Sequence, residues 1–151
     1  MAQIDLFEIL AYTIHMGVAY LLALPIAWNR ESKTRSAGLR TFPIVAMAAC
    51  AFMLVGRTVL ENGDSQARVM YGLITGIGFI GGGAIMKNSK EVSGTATAAS
   101  IWATGAIGMA VAYTQYNIAV VLSFATFMTL HFGLKAKKEI KRDHEEAKAE
   151  D

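Results

Sequence analysis

Charge is scarce in this chain. Asp, Glu, Lys and Arg make up 17% of its 151 residues, where about 25% is usual for a soluble domain. Positions 69–86 and 117–134 contain none. Cysteine is nearly absent: Cys50 stands alone, so no intrachain disulfide can form and a disulfide scaffold is excluded. There is no sequence repeat, low-complexity tract or linker. Walker A, HExxH and CxxC motifs are missing, and no Ser-His-Asp set is evident. What is present is apolar surface, at 54% of residues. A soluble domain of this length could not hide several long uncharged runs and still cover itself. An ordinary soluble enzyme and a disordered chain are therefore excluded.

A bilayer core needs about 20 apolar residues per helix. Five segments have that length, at about 6–28, 42–60, 67–86, 95–112 and 117–134. Strands fit poorly, because the runs do not alternate in polarity and open strands would leave backbone groups unpaired in lipid. The expected fold is an all-α membrane protein, a bundle of five transmembrane helices over 1–134 with a charged tail over 135–151. The tail carries six cations and six anions and reads as a polar helical extension of the last span. The first span has Asp5 and Glu8 in its leader, and its first cation is Arg30. A cleaved signal peptide would need a basic leader and a shorter core, so this span is expected to remain.

The cations set the orientation. Arg30, Lys33, Arg35 and Arg40 lie between spans one and two, and Lys87 and Lys90 between spans three and four. Lys135, Lys137, Lys138, Lys141, Arg142 and Lys148 follow span five. Of the 14 cations, only Arg57 and Arg68 belong to the other side. Basic short loops are cytoplasmic, which predicts an external N-terminus and a cytoplasmic C-terminus. An odd number of spans gives the same arrangement.

Span three holds Gly72, Gly76, Gly78, Gly81, Gly82 and Gly83. At about 100° per residue, Gly72, Gly76 and Gly83 share one face and the other three a second. Two small faces let neighbours approach from both sides, which predicts that span three is the central helix. The alternative is a helix broken at Gly81–Gly83 to line a ligand site. The match of Gly76 to Gly81 to G-x-G-x-x-G is a decoy. A dinucleotide site needs a preceding strand and a helix start, and this motif lies inside an apolar span.

In span four Thr97, Ser100, Thr104 and Gly108 share a stripe about 80° wide. The stripe reads as interhelical hydrogen bonding or as the wall of a polar path. Trp102 points away from it. In span one Glu8, Tyr12 and His15 share a face. Glu8 marks the outer interface, and His15 is either a satisfied structural histidine or a proton or cation ligand. His131 lies near the opposite membrane face, so the two cannot form a metal site, and no metal site is expected. Arg57, Glu61, Asp64 and Arg68 cluster around the turn between spans two and three. The expectation is mutual neutralisation by ion pairs, with a functional Arg68/Asp64 site as the sharper reading. Arg68 could there bind an anion or neutralise Glu8.

Taken together, these stretches resemble one family. Asp64-Ser-Gln-Ala-Arg68, Gly76-Ile-Gly-Phe-Ile-Gly-Gly-Gly-Ala-Ile85 and Gly94-Thr-Ala-Thr-Ala-Ala-Ser-Ile-Trp102 are similar to the MgtC/SapB family of bacterial membrane proteins. The stretch from Arg30 to Thr41, including Arg40, resembles that family's first cytoplasmic loop. The likeness covers about residues 10–130. It departs at Asn29, where an acid often precedes the arginine, and at Thr95-Ala96 in place of Leu-Thr. It departs also in a short tail, where MgtC proper carries a soluble domain. The resemblance implies a non-enzymatic protein of the bacterial inner membrane. It also implies links to magnesium limitation, virulence and restraint of the F-type ATP synthase. Two functions stay open: a modulator of another membrane complex, and a small oligomeric transporter or channel. No cofactor is expected. The expected partners are the lipid bilayer, another membrane complex and further copies of the chain, with no nucleic acid.

Overall fold

The computed structural model describes residues 5–32, 37–87 and 92–147, the side chains of 134–147 excepted. Lys33, Arg35, Lys90 and Lys148, and the side chains of the other tail cations, lie outside the described residues. Five helices follow one another: α1 (Leu6–Glu31), α2 (Thr41–Val59), α3 (Gly63–Gly83), α4 (Thr95–Ala112) and α5 (Tyr116–Ala147). A two-residue antiparallel hairpin, β1 (Met86–Lys87) with β2 (Val92–Ser93), joins α3 to α4.

The helix starts follow from local chemistry. The Asp5 carboxylate accepts from the Phe7 N–H at 2.8 Å, and the Asn62 side chain accepts from the Ser65 N–H at 2.7 Å. Each satisfies an N–H that the first helical turn leaves free. Before α2, Glu31 Oε2 accepts from the Leu39 N–H at 2.9 Å and closes the α1–α2 connection. Gly94 precedes α4 with φ of 85°. A side chain there would strain the backbone and would also run into the Ala84 carbonyl.

Among the described residues four helices, α1, α2, α4 and the Tyr116–Gly133 part of α5, are long and apolar enough to cross a membrane. At 1.5 Å per residue α3 is about 31 Å long, the thickness of a bilayer core. Its hydropathy is diluted by seven glycines and by Asp64 and Arg68 near its start. It nonetheless connects the end of α2 to the start of α4, which lie at opposite ends of two spanning helices, so it must cross with them. Large apolar side chains cover the outside: Phe79 is 85% exposed, Phe124 64% and Trp102 53%. Such a surface suits lipid and not water.

The central helix is α4, not α3. It packs on α2, α5, α3 and α1, and buries Thr97, Ser100, Ile101, Thr104, Gly105, Ile107, Gly108, Val111 and Ala112. In α3 only Ile77 and Gly81 are buried. The physical reason is that α4 is rich in small Ala, Gly, Ser and Thr residues, so several neighbours can approach it closely. A Cβ on Gly108 would strike the Ala46 carbonyl of α2, and one on Gly105 would strike the Ile77 side chain of α3. Of the α3 glycines, Gly81 lies against Ala98 and Gly78 against Trp102. A Cβ on Gly72, Gly76, Gly82 or Gly83 would meet nothing within 4 Å. The helix continues unbroken through Gly81 and ends at Gly83.

Candidate functional site

The bundle has a basic end, where α1 finishes and α2 and α4 begin, and an opposite end. At the basic end Arg30 occupies the last turn of α1, where a cation suits the negative end of the helix dipole. It is 5% exposed. Its Nη2 donates to Thr97 Oγ1 of α4 at 2.8 Å, and Thr97 is fully buried. Asn29 beside it is 6% exposed, and its Oδ1 meets no hydrogen-bond donor among the described residues. Arg40 starts α2 and is exposed.

The hydroxyl stripe of α4 divides. Thr97 bonds across helices. Ser100 donates to the Ala96 carbonyl at 2.7 Å, and Thr104 to the carbonyls of Ser100 and Ile101 at 3.1 and 2.9 Å. An interior helical hydroxyl finds the carbonyl one turn back closer than any neighbouring helix. A second interhelical bond comes from Ser123 of α5, which donates to the Leu22 carbonyl of α1 at 2.6 Å. Nothing in the pattern of span five singled out Ser123 from the other hydroxyls of that span, Thr126 and Thr129.

At the opposite end Arg57 is held by α4 instead of by nearby acids. Its Nη1 donates to the Ala112 carbonyl, and its guanidinium lies 5.2 Å from the centre of the Tyr113 ring. The last carbonyls of a helix lack partners within it and carry its negative end, so the C-terminus of α4 takes the role expected of Glu61 and Asp64. Tyr113 Oη donates to Gln66 Oε1 at 3.4 Å, and Gln66 Nε2 donates to the Leu60 carbonyl at 2.9 Å. This chain of contacts ties α2, the α2–α3 turn and α4 together.

Asp64 and Arg68 are both exposed at the start of α3, and no ion pair joins them among the described residues. Glu8 is exposed in the first turn of α1 and is not joined to Arg68. His15 is half-buried. Its Nδ1 lies 2.8 Å from the Ala11 carbonyl, which can only accept, so Nδ1 carries the proton. Nε2 is then free to accept from Tyr116 Oη, 3.4 Å away. His15 is thus a histidine with both ring nitrogens engaged. His131 lies tilted against Phe127 and edge-on to Phe132. Among the described residues no three His, Cys, Asp or Glu side chains gather as a metal cluster would.

Between α2 and α3 lies an open cleft of about 590 Å³, lined on one side by Ile44, Ala48 and Phe52 and on the other by Gly72, Gly76 and Ile80. Every lining side chain is apolar. The cleft is open because α3 leans on α4 and touches α2 sparsely.

A helical membrane bundle with these motifs has a counterpart among known families: residues 16–139 match the model of the MgtC family. The chain belongs to the MgtC family. It is similar to protein SrpB of Synechococcus elongatus, at 32% identity over 146 residues, covering 87% of this chain and 79% of that protein. It is also similar to the putative magnesium transporter YhiD of Escherichia coli K12, at 30% identity over 79% of this chain and 59% of YhiD. Protein MgtC of Salmonella typhimurium is 36% identical over 72% of this chain and 46% of its own length. The chain thus spans about half the length of MgtC and somewhat more of YhiD. No solved structure matches it.

Proposed function

We propose that this MgtC-family chain is a non-catalytic modulator of another membrane complex in a bacterial inner membrane. Its basic end faces the cytoplasm, as the placement of all but two of the 14 cations favours. The observation that carries the modulator reading is how the buried hydroxyls are used. Thr97, Ser100, Thr104 and Ser123 all have partners inside the bundle. They act as structural polar contacts, whereas a permeation path needs groups free to exchange with water or an ion. The lipid-facing surface, rich in large apolar side chains, offers the area for a partner's helices and for further copies of the chain. The setting suggested by the resemblance is adaptation to magnesium limitation and virulence, with the F-type ATP synthase as the first complex to examine.

Affinity purification of the tagged chain from gently solubilised membranes tests the proposal. A stoichiometric membrane complex should co-purify under magnesium limitation. Recovery of the chain alone, or only with its own copies, would contradict it. The second reading, a small oligomeric transporter, draws on the likeness to the putative magnesium transporter YhiD.

A further inference from the structure

We propose that the cleft between α2 and α3 binds one anionic phospholipid, with an acyl chain between the helices and the phosphate on Arg40. The size of the cleft favours such an occupant. Its volume of about 590 Å³ lies in the range of about 300–1,000 Å³ typical of sites for small ligands. A membrane-spanning helix, about 10 Å across and 30 Å long, is several times larger and could rest only on its rim. The lining also fits a hydrocarbon chain. Ile44, Ala48 and Phe52 follow one another at i, i+4 and i+8, a single stripe on α2. Facing them, Gly72 and Gly76 expose bare helix backbone, where an added Cβ would touch nothing within 4 Å. No polar side chain lines the slot, so water would gain nothing there.

Charge complementarity selects the head group. Arg40 stands four residues before Ile44 and continues the same stripe to the basic end. Its backbone is already helical, with φ of −90° and ψ of −44°. The side chain is exposed and has no hydrogen-bond or ion-pair partner among the described residues. An apolar slot whose α2 stripe leads, one turn beyond Ile44, to the exposed cation Arg40 matches an amphiphile with an apolar tail and an anionic head. The planar guanidinium can take two phosphate oxygens at once. Lys87 follows α3 at the same end and adds to the positive field. The inference stands apart from the modulator reading, because binding is measured with no partner present.

The test uses the full chain purified in a neutral detergent. Dioleoylphosphatidylglycerol, dioleoylphosphatidylcholine and inorganic phosphate are titrated separately, and bound lipid is counted by native mass spectrometry. Wild type should hold one phosphatidylglycerol about tenfold more tightly than phosphatidylcholine, the scale of one charge-assisted contact. Arg40→Gln should remove that preference and leave the two lipids equal. Ala48→Phe, at an exposed lining position, should weaken both lipids together. Arg68→Gln, a cation at the other end, should change nothing. The proposal is overturned if wild type holds both lipids equally, or if Arg40→Gln keeps the preference. Inorganic phosphate displacing the lipid at similar concentration would overturn the acyl-chain part. Ala48→Phe that alters oligomer mass but not lipid binding would assign the cleft to a second copy and overturn the proposal.

Discussion

The guanidinium of Arg30 and the hydroxyl of Thr97 meet at 2.8 Å, in the last turn of α1 and the first turn of α4. The contact joins a peripheral helix to the central one at a buried site. Removing one partner from a buried charged contact leaves the other in a medium that solvates it poorly. Arg30→Ala, which leaves the buried Thr97 hydroxyl without its donor, should therefore destabilise the bundle by about 1–3 kcal/mol. Thr97→Val, which keeps the shape and removes the acceptor, should cost about 1.5–3 kcal/mol. Thermal unfolding in detergent measures both, and unchanged melting of either variant would remove the contact from the account.

Glycines of α3 and α4 should respond oppositely to the same change. Gly108→Ala drives a methyl group into the Ala46 carbonyl, and overpacking of this kind costs about 1–3 kcal/mol. Gly76→Ala places its methyl in open space and gains helix propensity, up to about 1 kcal/mol. The melting temperature should fall for the first and hold or rise for the second. A fall for Gly76→Ala would show that another element covers that face in the purified protein.

The exposed positions of Asp64 and Arg68 predict small stability effects. Asp64→Asn and Arg68→Ala should each change unfolding by less than about 1 kcal/mol, the ceiling for a solvent-facing pair. Membrane levels of both variants should match wild type on immunoblots. A large loss of folded protein would mean that the pair is buried against a partner or a second copy.

The orientation is tested by cysteine labelling. With Cys50 replaced by Ala, Ser36→Cys in the α1–α2 loop, which lies outside the described residues, should resist an impermeant reagent in intact cells. It should react after permeabilisation. Glu61→Cys at the opposite end should react in intact cells. The reverse pattern would invert the bundle.

The helices were legible in the sequence because lipid demands uninterrupted apolar runs of fixed length. Their mutual arrangement was less so. Small residues announce that something comes close but not what, so the six glycines of span three outweighed the mixed Ala, Gly, Ser and Thr of span four. Arg30 and Thr97 were each readable as candidates, but their pairing spans 67 residues and carries no local pattern. The partner of Arg57 was hidden for a further reason. It is a backbone carbonyl 55 residues away, and a carbonyl has no letter in the sequence. The two-residue hairpin between α3 and α4 is shorter than any alternation that could reveal a strand.

The bundle either modulates another complex or conducts by itself. Magnesium flux into liposomes that contain only the purified chain, loaded with a magnesium indicator, tests this most directly. A modulator should give flux equal to that of protein-free liposomes at every protein density. Saturable flux that rises with protein density would contradict it.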